Sequence, residues 1–213
     1  MSEPKEQRRM TEPAPRPQCE IRARFSNDII RVYQAYSSAI AEPAIRAQKF
    51  APPFKMARIT WIKPSFFWMM YRSGWATKTG QERVLAIDIA RDGFDWALQH
   101  ACFSHFDAGV QESCDAWEKQ KGLSPVRIQW DPERNCHFER LDYRSIQIGL
   151  SGDAAKRYVN NWTQAVIDIT ETVRELRECD VHLRQAASEE IASEERPYPI
   201  SVSLAPQIGA AVS

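Results

Sequence analysis

Residues 60–75 read TWIKPSFFWMMYRSGW and indicate the fold class of the chain. The run completes a short strand, predicted at 58–62, and then passes into a helix. Proline favours the first position of a helix and glycine the position just beyond its end, so Pro64 and Gly74 mark the two helix boundaries. A strand joined directly to a helix predicts a domain that mixes the two.

Further strands are expected on both sides of this run. Residues 83–89, RVLAIDI, are apolar enough for a central strand of a sheet. Residues 29–36 have strand character, although their apolar spacing also suits a helix that Ser26 or Asn27 would cap. The remaining strands are predicted at 21–25, 126–130 and 144–150.

The longest predicted helix begins after Ser151. Its apolar side chains recur at spacings of three and four, the period of a helix with one buried face. They are Tyr158, Trp162, Val166, Ile169, Val173 and Leu176. Gln129, Asp131 and Glu133 alternate along the chain and could supply a catalytic carboxylate, although a turn at Asp131-Pro132 is favoured. Because strands and helices do not alternate regularly, we expect an α+β domain with a mixed or split β-sheet of about five strands and packing helices.

The chain has 213 residues, which suits a single domain. Residues 1–19 contain four prolines and many charges, and residues 196–213 are rich in serine, alanine and valine. Both tails are expected to be disordered. The globular α+β domain is therefore predicted at 20–195.

The five cysteines are spread along the chain without a C-x-x-C pair, which argues against a disulfide framework and a zinc cage. The four histidines lack the spacing of paired metal ligands, so no metal site is predicted. No apolar run resembles a signal peptide or a membrane span. We therefore expect a cytoplasmic protein that does not bind membranes.

Charge is unevenly distributed in a chain whose 28 basic and 28 acidic residues cancel. Residues 43–81 carry seven cations and no carboxylate. Lys63, Ser65 and the N–H groups at the start of the predicted helix would form an anion site, with Arg72 at the other end of that helix. The alternative is that Lys63 and Arg72 are the solvated ends of a buried helix.

Arg22 and Arg24 lie one alternation apart on a predicted strand. Both guanidinium groups would then point to one side and could bind one phosphate, or they could form an exposed edge that prevents aggregation. Glu82 ends the acid-free stretch. Its carboxylate could face a cleft or pair with Lys78 or Arg83.

Seven runs of sequence resemble a known family. They are IRARF (21–25), VYQAYS (32–37), TWIKPSF (60–66), WMMYRSGW (68–75), QERVLAI (81–87), QWDPER (129–134) and RSIQIGLSG (144–152). On these runs the chain is identified as a member of the domain-of-unknown-function family 4291 over nearly all of residues 20–180. That resemblance implies no particular reaction.

Residues 33–37, YQAYS, and the segment up to Phe50 are similar to the opening of ADP-ribosyltransferase-type domains. This likeness implies NAD in a cleft of a split sheet, an aromatic ring stacked on nicotinamide, and a glutamate that polarises the ribose. It implies Gln34 or Arg31 at the first position, Ser65 or Tyr71 at the middle one, and Glu82 or Glu133 at the last. The chain departs from the pattern in having no histidine at Gln34 and no Glu-x-Glu triplet.

A nucleotide site is the leading functional prediction, with NAD as the cofactor and ADP-ribosyl transfer to a nucleic acid or protein acceptor as the reaction. The predicted catalytic residues are Glu82, Gln34 and Tyr71. The predicted cofactor-binding residues are Arg22, Arg24, Tyr36, Trp61, Lys63, Ser65 and Arg72. One alternative is noncatalytic binding of RNA or single strands by the same patch. Another is a structural or partner-binding domain whose basic stretch pairs with its own acidic C-terminal helix.

Overall fold

The computed structural model describes residues 16–212, which form an α+β domain as expected. The strands are β1 (Arg22–Ala23), β2 (Ile29–Tyr36), β3 (Thr60–Ile62), β4 (Arg83–Ala90), β5 (Ala101–Phe103), β6 (Val126–Arg134), β7 (Arg140–Leu150), β8 (Thr163–Asp168) and β9 (Arg196–Pro197). The α-helices are α1 (Ser38–Ala47), α2 (Phe66–Ser73), α3 (Arg91–Gln99), α4 (Cys114–Leu123), α5 (Gly152–Arg157), α6 (Thr170–Glu178) and α7 (Val181–Glu194). Most of the predicted N-terminal tail, residues 1–15, lies outside the described residues.

The strands form three sheets. β4 is the central strand of an antiparallel sheet in the order β2-β4-β8, which fits its continuous apolar sequence. A second sheet has the order β3-β7-β6-β5, in which only β5 and β6 are parallel. The short strands β1 and β9 form a separate antiparallel pair.

The two larger sheets meet at an isolated bridge. The N–H of Tyr33 in β2 donates to the carbonyl oxygen of Lys63, just after β3, at 2.7 Å. Beyond this bridge the last residues of β2 and the first residues of β3 line the same cavity rather than pairing along their length. The junction therefore opens a cleft between two sheets.

Helix α2 begins and ends almost as its sequence predicts. It begins at Phe66, two residues after the predicted first position Pro64. Ser65 is its N-cap, and the Ser65 hydroxyl accepts a hydrogen bond from the N–H of Trp68 at 3.1 Å. Gly74 adopts the left-handed conformation at the C-cap with φ of 61°. Five consecutive apolar side chains from Phe66 to Met70 are buried, so the helix packs on more than one side.

The long helix predicted after Ser151 is wrong. Helix α5 is followed by one π-helical turn, Tyr158–Trp162, and the chain then extends as strand β8 before α6 begins. Strand β8 pairs with β4, where Ile167 lies opposite Ala86. Val166, which fits the helical spacing, is buried as a strand residue opposite Ile87.

A second difference lies at Asp131-Pro132, which belong to β6 instead of forming a turn. The pairing of β6 with β7 continues through both residues and shifts register only between Pro132 and Arg134. The strand thus carries the Asp131 carboxylate to the middle of the sheet, opposite Ser145.

The segment after residue 195, expected to be a disordered tail, packs on the domain through residue 212. Tyr198 is fully buried, and its hydroxyl donates to Asp95 at 2.6 Å. Ile208 is also buried, and the N–H of Ala211 donates to the carbonyl of Cys19 at 2.7 Å. Burial of Tyr198, Ala205 and Ile208 therefore holds this segment on the domain in spite of its simple composition.

The main core lies between the two larger sheets and α3. Gly93 in α3 contacts the indole of Trp162 so closely that an added Cβ would lie 2.5 Å from the ring. A smaller apolar cluster joins α2 to β4 and α6 through Met70, Val84 and Val173. Within residues 16–212, no helix has the length and apolar character needed to cross a membrane.

Candidate functional site

The cleft between the two larger sheets contains a cavity of about 740 Å³, which we call the aromatic–basic pocket. Residues 34–36 of β2 and Thr60 and Trp61 of β3 line one side, and α2 contributes Trp68, Met69 and Arg72. The loop between α1 and β3 contributes Phe54, Lys55, Arg58 and Ile59, and the strands β6 and β7 contribute Gln129 and Gln147. These five secondary-structure elements and one loop therefore converge on this space.

All charged side chains that line this pocket are cations: Lys55, Arg58, Lys63 and Arg72. Within residues 16–212, none of these four forms an ion pair with a carboxylate. Lys55, Arg58 and Arg72 are exposed at the mouth, whereas Lys63 is deeply placed. The pocket thus presents unpaired positive charge to any ligand that enters.

Lys63 is the most unusual of these cations because its side chain is buried, with only 5% of the residue exposed. Its Nζ donates to Oε1 of Gln147 at 2.8 Å and lies 4.3 Å from the centre of the Trp68 ring. Burial lowers the pKa of Lys63 to about 7, with the Asp131 carboxylate opposing that shift and Arg72 adding to it. At neutral pH the amine is therefore divided between its charged and neutral forms.

A polar chain behind Lys63 leads to Asp131. The amide nitrogen of Gln147 donates to Asp131 at 2.6 Å and also to Gln129. Burial raises the pKa of Asp131 above its usual value, while the positive charges of Lys63 and Arg144 act in the opposite direction. Gln147 therefore connects an amine in the pocket with a carboxyl group behind it.

A second polar group closes the end of the pocket near β2. The Gln34 amide nitrogen lies 2.8 Å from the Thr60 hydroxyl and 2.9 Å from the Trp61 carbonyl oxygen, and Tyr36 OH is also in reach at 2.9 Å. Its amide oxygen accepts from the buried Tyr158 hydroxyl at 2.7 Å. Gln34 is fully hydrogen-bonded in this way, so its main effect is to fix the two strands at the cleft.

Five of the predicted site residues come together in the aromatic–basic pocket. They are Gln34, Tyr36, Trp61, Lys63 and Arg72. Their shared location follows from the bridge between β2 and β3, which brings strand ends 27 residues apart into contact. Arg72 reaches the pocket from the exposed last turn of α2, and its guanidinium donates to the side-chain amide of Gln81.

Arg22 and Arg24 do not line this pocket. Arg22 donates to the Glu20 carboxylate at 3.0 Å and to the backbone oxygen of Glu195 at 2.6 Å. Arg24 forms an ion pair with Glu194 at 2.7 Å. Both guanidinium groups therefore hold the segment around β1 to the end of α7. The third functional alternative predicted that the basic stretch would pair with the acidic C-terminal helix. The pairing seen here involves that helix, but its arginines lie outside the basic stretch.

Ser65, Tyr71 and Glu82 also lie outside the aromatic–basic pocket. Ser65 caps α2 on the opposite side of the helix. Tyr71 is stacked beneath the Arg134 guanidinium, whose central carbon lies 4.1 Å from the ring centre. The partly exposed Glu82 accepts from the N–H of Gly80 at 2.7 Å, and this bond lowers its pKa.

Lys55, Arg58, Gln147 and Asp131 were not assigned to the site from the sequence. Lys55 and Arg58 belong to the acid-free stretch, so their charge was visible although their position was not. Gln147 occupies a polar position on an alternating strand, which shows only that it leaves the core. Asp131 can be recognised from the sequence as a possible catalytic carboxylate, but the proline after it favours a turn, and the turn is the preferred interpretation.

The sequence comparisons agree with the assignment made from the seven runs. Residues 20–198 match the model of the family described as Domain of unknown function (DUF4291). The chain belongs to this family. The match spans the aromatic–basic pocket and all three sheets, so the site is part of the DUF4291 domain. No curated protein matches the chain.

Proposed function

We propose that this DUF4291 protein binds a phosphate-bearing nucleotide in the aromatic–basic pocket, with NAD as the first candidate. The observation that carries this proposal is the charge of the lining: four cations, no carboxylate, and no ion pair to neutralise them within residues 16–212. Phosphate groups are the ligands best matched to such a lining, because arginine and lysine bind them through charge-assisted hydrogen bonds.

The cations are divided between the mouth and the interior of the pocket. Arg58, Lys55 and Arg72 at the mouth are placed to bind a diphosphate, which keeps part of its hydration. Lys63 lies deeper against Trp68, and an anion beside it would favour its charged form. Nucleotide binding would therefore raise the pKa of Lys63 and take up a proton near neutral pH.

Aromatic side chains provide the second part of a nucleotide site. Tyr36, Phe54, Trp61 and Trp68 line the pocket, and planar rings of this kind stack on bases and on nicotinamide. The cavity of about 740 Å³ lies within the usual range of small-molecule and cofactor sites. Rings and cations in one concave space favour a free nucleotide over a long polymer.

The ADP-ribosyltransferase-like fold and the transfer of ADP-ribose to a nucleic acid or protein acceptor belong to the same proposal. Their support is the cleft between two sheets joined at one bridge, with the pocket between them. Glu82 lies outside that pocket, so it is poorly placed to act on a ribose bound there. Asp131, reached through Gln147, is the carboxyl group that the arrangement offers instead.

Isothermal titration of the full chain with NAD, ADP-ribose and adenosine tests the proposal. NAD and ADP-ribose should bind, and adenosine, which lacks phosphate, should bind much more weakly. Lys63→Met should weaken NAD binding by roughly 10- to 100-fold, the loss expected for one hydrogen bond to a charged group. The matched control Lys119→Met, on the exposed surface of α4, should bind as the unmodified protein does.

Absence of binding to every phosphate-bearing nucleotide in this set would refute the proposal. Tight binding of single-stranded RNA that weakens steeply with salt, together with no binding of NAD, would instead support the nucleic-acid alternative. Mass spectrometry of acceptor proteins and nucleic acids incubated with NAD then tests the transfer reaction separately.

A further inference from the structure

A second, smaller cavity of about 190 Å³ lies on the other side of α2. It is enclosed by the N-terminal end of α2, the end of β6 and one face of α7. We call it the carboxylate pocket, because Glu133 from β6 and Glu195 from the end of α7 both line it. The other charged residues of its lining are Glu189, Arg16, Arg22 and Arg134. It shares none of its lining residues with the aromatic–basic pocket.

The two glutamates are deeply buried, with 8% of Glu133 and 7% of Glu195 exposed. Glu195 Oε1 accepts from the N–H of Phe66 at 2.7 Å, and Glu133 Oε1 accepts from the N–H of Arg134 at 2.8 Å. Burial raises the pKa of both carboxyl groups, and the charge of Glu133 raises that of Glu195 further. A cationic partner inside the pocket would remove much of this cost.

Two polar atoms in the same pocket lack hydrogen bonds. Within residues 16–212, Ser188 Oγ and Arg134 Nε are the only buried side-chain nitrogen or oxygen atoms without a partner. Ser188 is 5% exposed, and both residues line the carboxylate pocket. Buried polar atoms almost always have partners, so two such atoms meeting in one small cavity indicate a ligand that supplies them.

The positions of these groups follow from the periodicity of α7. Gln185, Ser188, Ala192 and Glu195 recur at spacings of three and four, so they face the same side of the helix and line the pocket together. Arg134 is held on the opposite wall, where its Nη1 donates to the Phe138 carbonyl at 3.0 Å. Its Nε–H is therefore fixed in position, and it has no acceptor within residues 16–212.

We propose that the carboxylate pocket binds a small amino acid in its zwitterionic form. The ammonium group would contact the Glu133 and Glu195 carboxyl groups, and the ligand carboxylate would accept from Arg134 Nε–H and the Ser188 hydroxyl. Side chains of both signs line the pocket, with three arginines and three glutamates. A ligand that carries one positive and one negative group therefore matches the pocket better than a ligand with a single charge.

The size of the cavity agrees with this class of ligand. The volume of about 190 Å³ lies below the roughly 300–1,000 Å³ usual for ligand pockets and well below the 740 Å³ of the aromatic–basic pocket. Such a space suits an amino acid with a short side chain better than a nucleotide. The two pockets would therefore take different ligands.

Thermal melting and isothermal titration of the full chain against the twenty L-amino acids test the proposal. At least one amino acid with a small side chain should raise the melting temperature and bind with a measurable heat. Its single-headed analogues, the amine without the carboxylate and the acid without the amine, should each bind at least about 10-fold more weakly, since each loses a charged hydrogen-bonded group.

Ser188→Ala is the informative variant because no hydrogen bond in the unliganded protein depends on its hydroxyl. It should melt no lower than the unmodified protein without ligand, yet bind the amino acid at least about 5-fold more weakly. Ser193→Ala, at an exposed position of the same helix, is the matched control and should bind normally. Glu133→Gln should weaken binding of the ammonium group in the same experiment.

Failure of all twenty amino acids to bind would overturn the proposal. So would a bound amino acid whose affinity is the same for Ser188→Ala, Glu133→Gln and the Ser193→Ala control. Equal affinity for the amino acid and its amine analogue would also overturn it, because the cavity would then recognise a cation alone.

Discussion

The aromatic–basic pocket and the carboxylate pocket lie on opposite sides of one eight-residue helix and differ in charge, since only cations line the first whereas three arginines and three glutamates line the second. Trp68 and Arg72 of α2 face the first, and Phe67 with the N-cap Ser65 faces the second. In both pockets, burial favours the uncharged form of the ionisable side chains. It lowers the pKa of Lys63 to about 7 and raises that of Glu195 well above the usual value.

A charged side chain can bind a ligand only when no other residue of the same protein already forms an ion pair with it. Two arginines illustrate this. Arg24 and Arg72 are both exposed arginines, yet Arg24 is held by Glu194 whereas Arg72 has no carboxylate partner within residues 16–212. Residue type alone did not separate them. The position of α7, which supplies the acids, decides which arginine is free.

The largest expected effect comes from reversing one of these two arginines. Arg72→Glu should lower NAD affinity by at least about 100-fold, because it replaces an attraction for phosphate with a repulsion. Arg24→Glu should change it by less than about twofold, since Arg24 lies outside the aromatic–basic pocket. Calorimetric titration at low salt measures both, and similar losses for the two variants would contradict the separation of the pockets.

The next effect concerns Glu195, whose side chain is both a hydrogen-bond acceptor for α2 and a buried ionisable group. Glu195→Ala should lower the free energy of unfolding by about 1–3 kcal/mol, because it leaves the buried N–H of Phe66 without an acceptor. Glu195→Gln keeps that acceptor and removes the buried ionisable group.

The pH dependence gives the control for Glu195. The pKa of Glu195 is higher in the folded protein than in the unfolded chain. The stability that protonated Glu195 contributes is therefore fully present below the ordinary pKa of 4.5, and it is lost as the pH rises through the folded pKa. Glu195→Gln should therefore gain stability relative to the unmodified protein between pH 5 and 8 in urea denaturation. A parallel pH profile for the two proteins would contradict this expectation.

Lys63 should show the opposite pH dependence. The unfolded chain keeps its proton up to the ordinary lysine value of 10.5, whereas the folded protein releases it at about 7. The free energy of unfolding should therefore rise with pH above 7, by up to about 1.4 kcal/mol per pH unit for one proton. Lys63→Met removes this slope. Urea denaturation at pH 7.0 and 8.5 measures the difference, and identical slopes would show that Lys63 titrates normally.

The smallest expected effect concerns Ser65, which was predicted to bind phosphate. As the N-cap of α2 it should affect stability instead, and Ser65→Ala should cost about 1 kcal/mol. The matched variant Ser113→Ala removes the equivalent cap of α4, which is far from both pockets. NAD affinity unchanged within about twofold in Ser65→Ala would agree with its position, whereas a loss above about 10-fold would place it in the nucleotide site.

Local sequence patterns predict a helix or strand correctly when the residues of that element carry the signal themselves. The apolar run of β4 and the proline and glycine near the ends of α2 predicted both elements within a few residues. Strand β8 was not predicted, because its six residues have neither a strong strand pattern nor turn residues at both ends. Its identity depends on pairing with β4, about 80 residues away, which a local period does not reveal.

The same reasoning explains the site. Lys63, Trp61 and Arg72, which line one pocket, could be grouped from the sequence because their charge and aromatic character are concentrated in one stretch. Gln147 and Asp131 come from a different sheet, and only the β6–β7 pairing brings them behind Lys63. The carboxylate pocket was missed since its two glutamates are separated by 62 positions and Glu195 was assigned to the edge of a disordered tail.

The pairing of β1 with β9 has a consequence for how the protein is made. Arg22 of β1 bonds to a carbonyl that lies 173 residues later in the chain, and the buried Tyr198 follows directly after β9. The N-terminal strand therefore has no partner while a ribosome still holds the segment beyond Glu194. The domain closes only after that segment has been released, and until then the strand edge and the groove for Tyr198 are exposed to other chains and to chaperones.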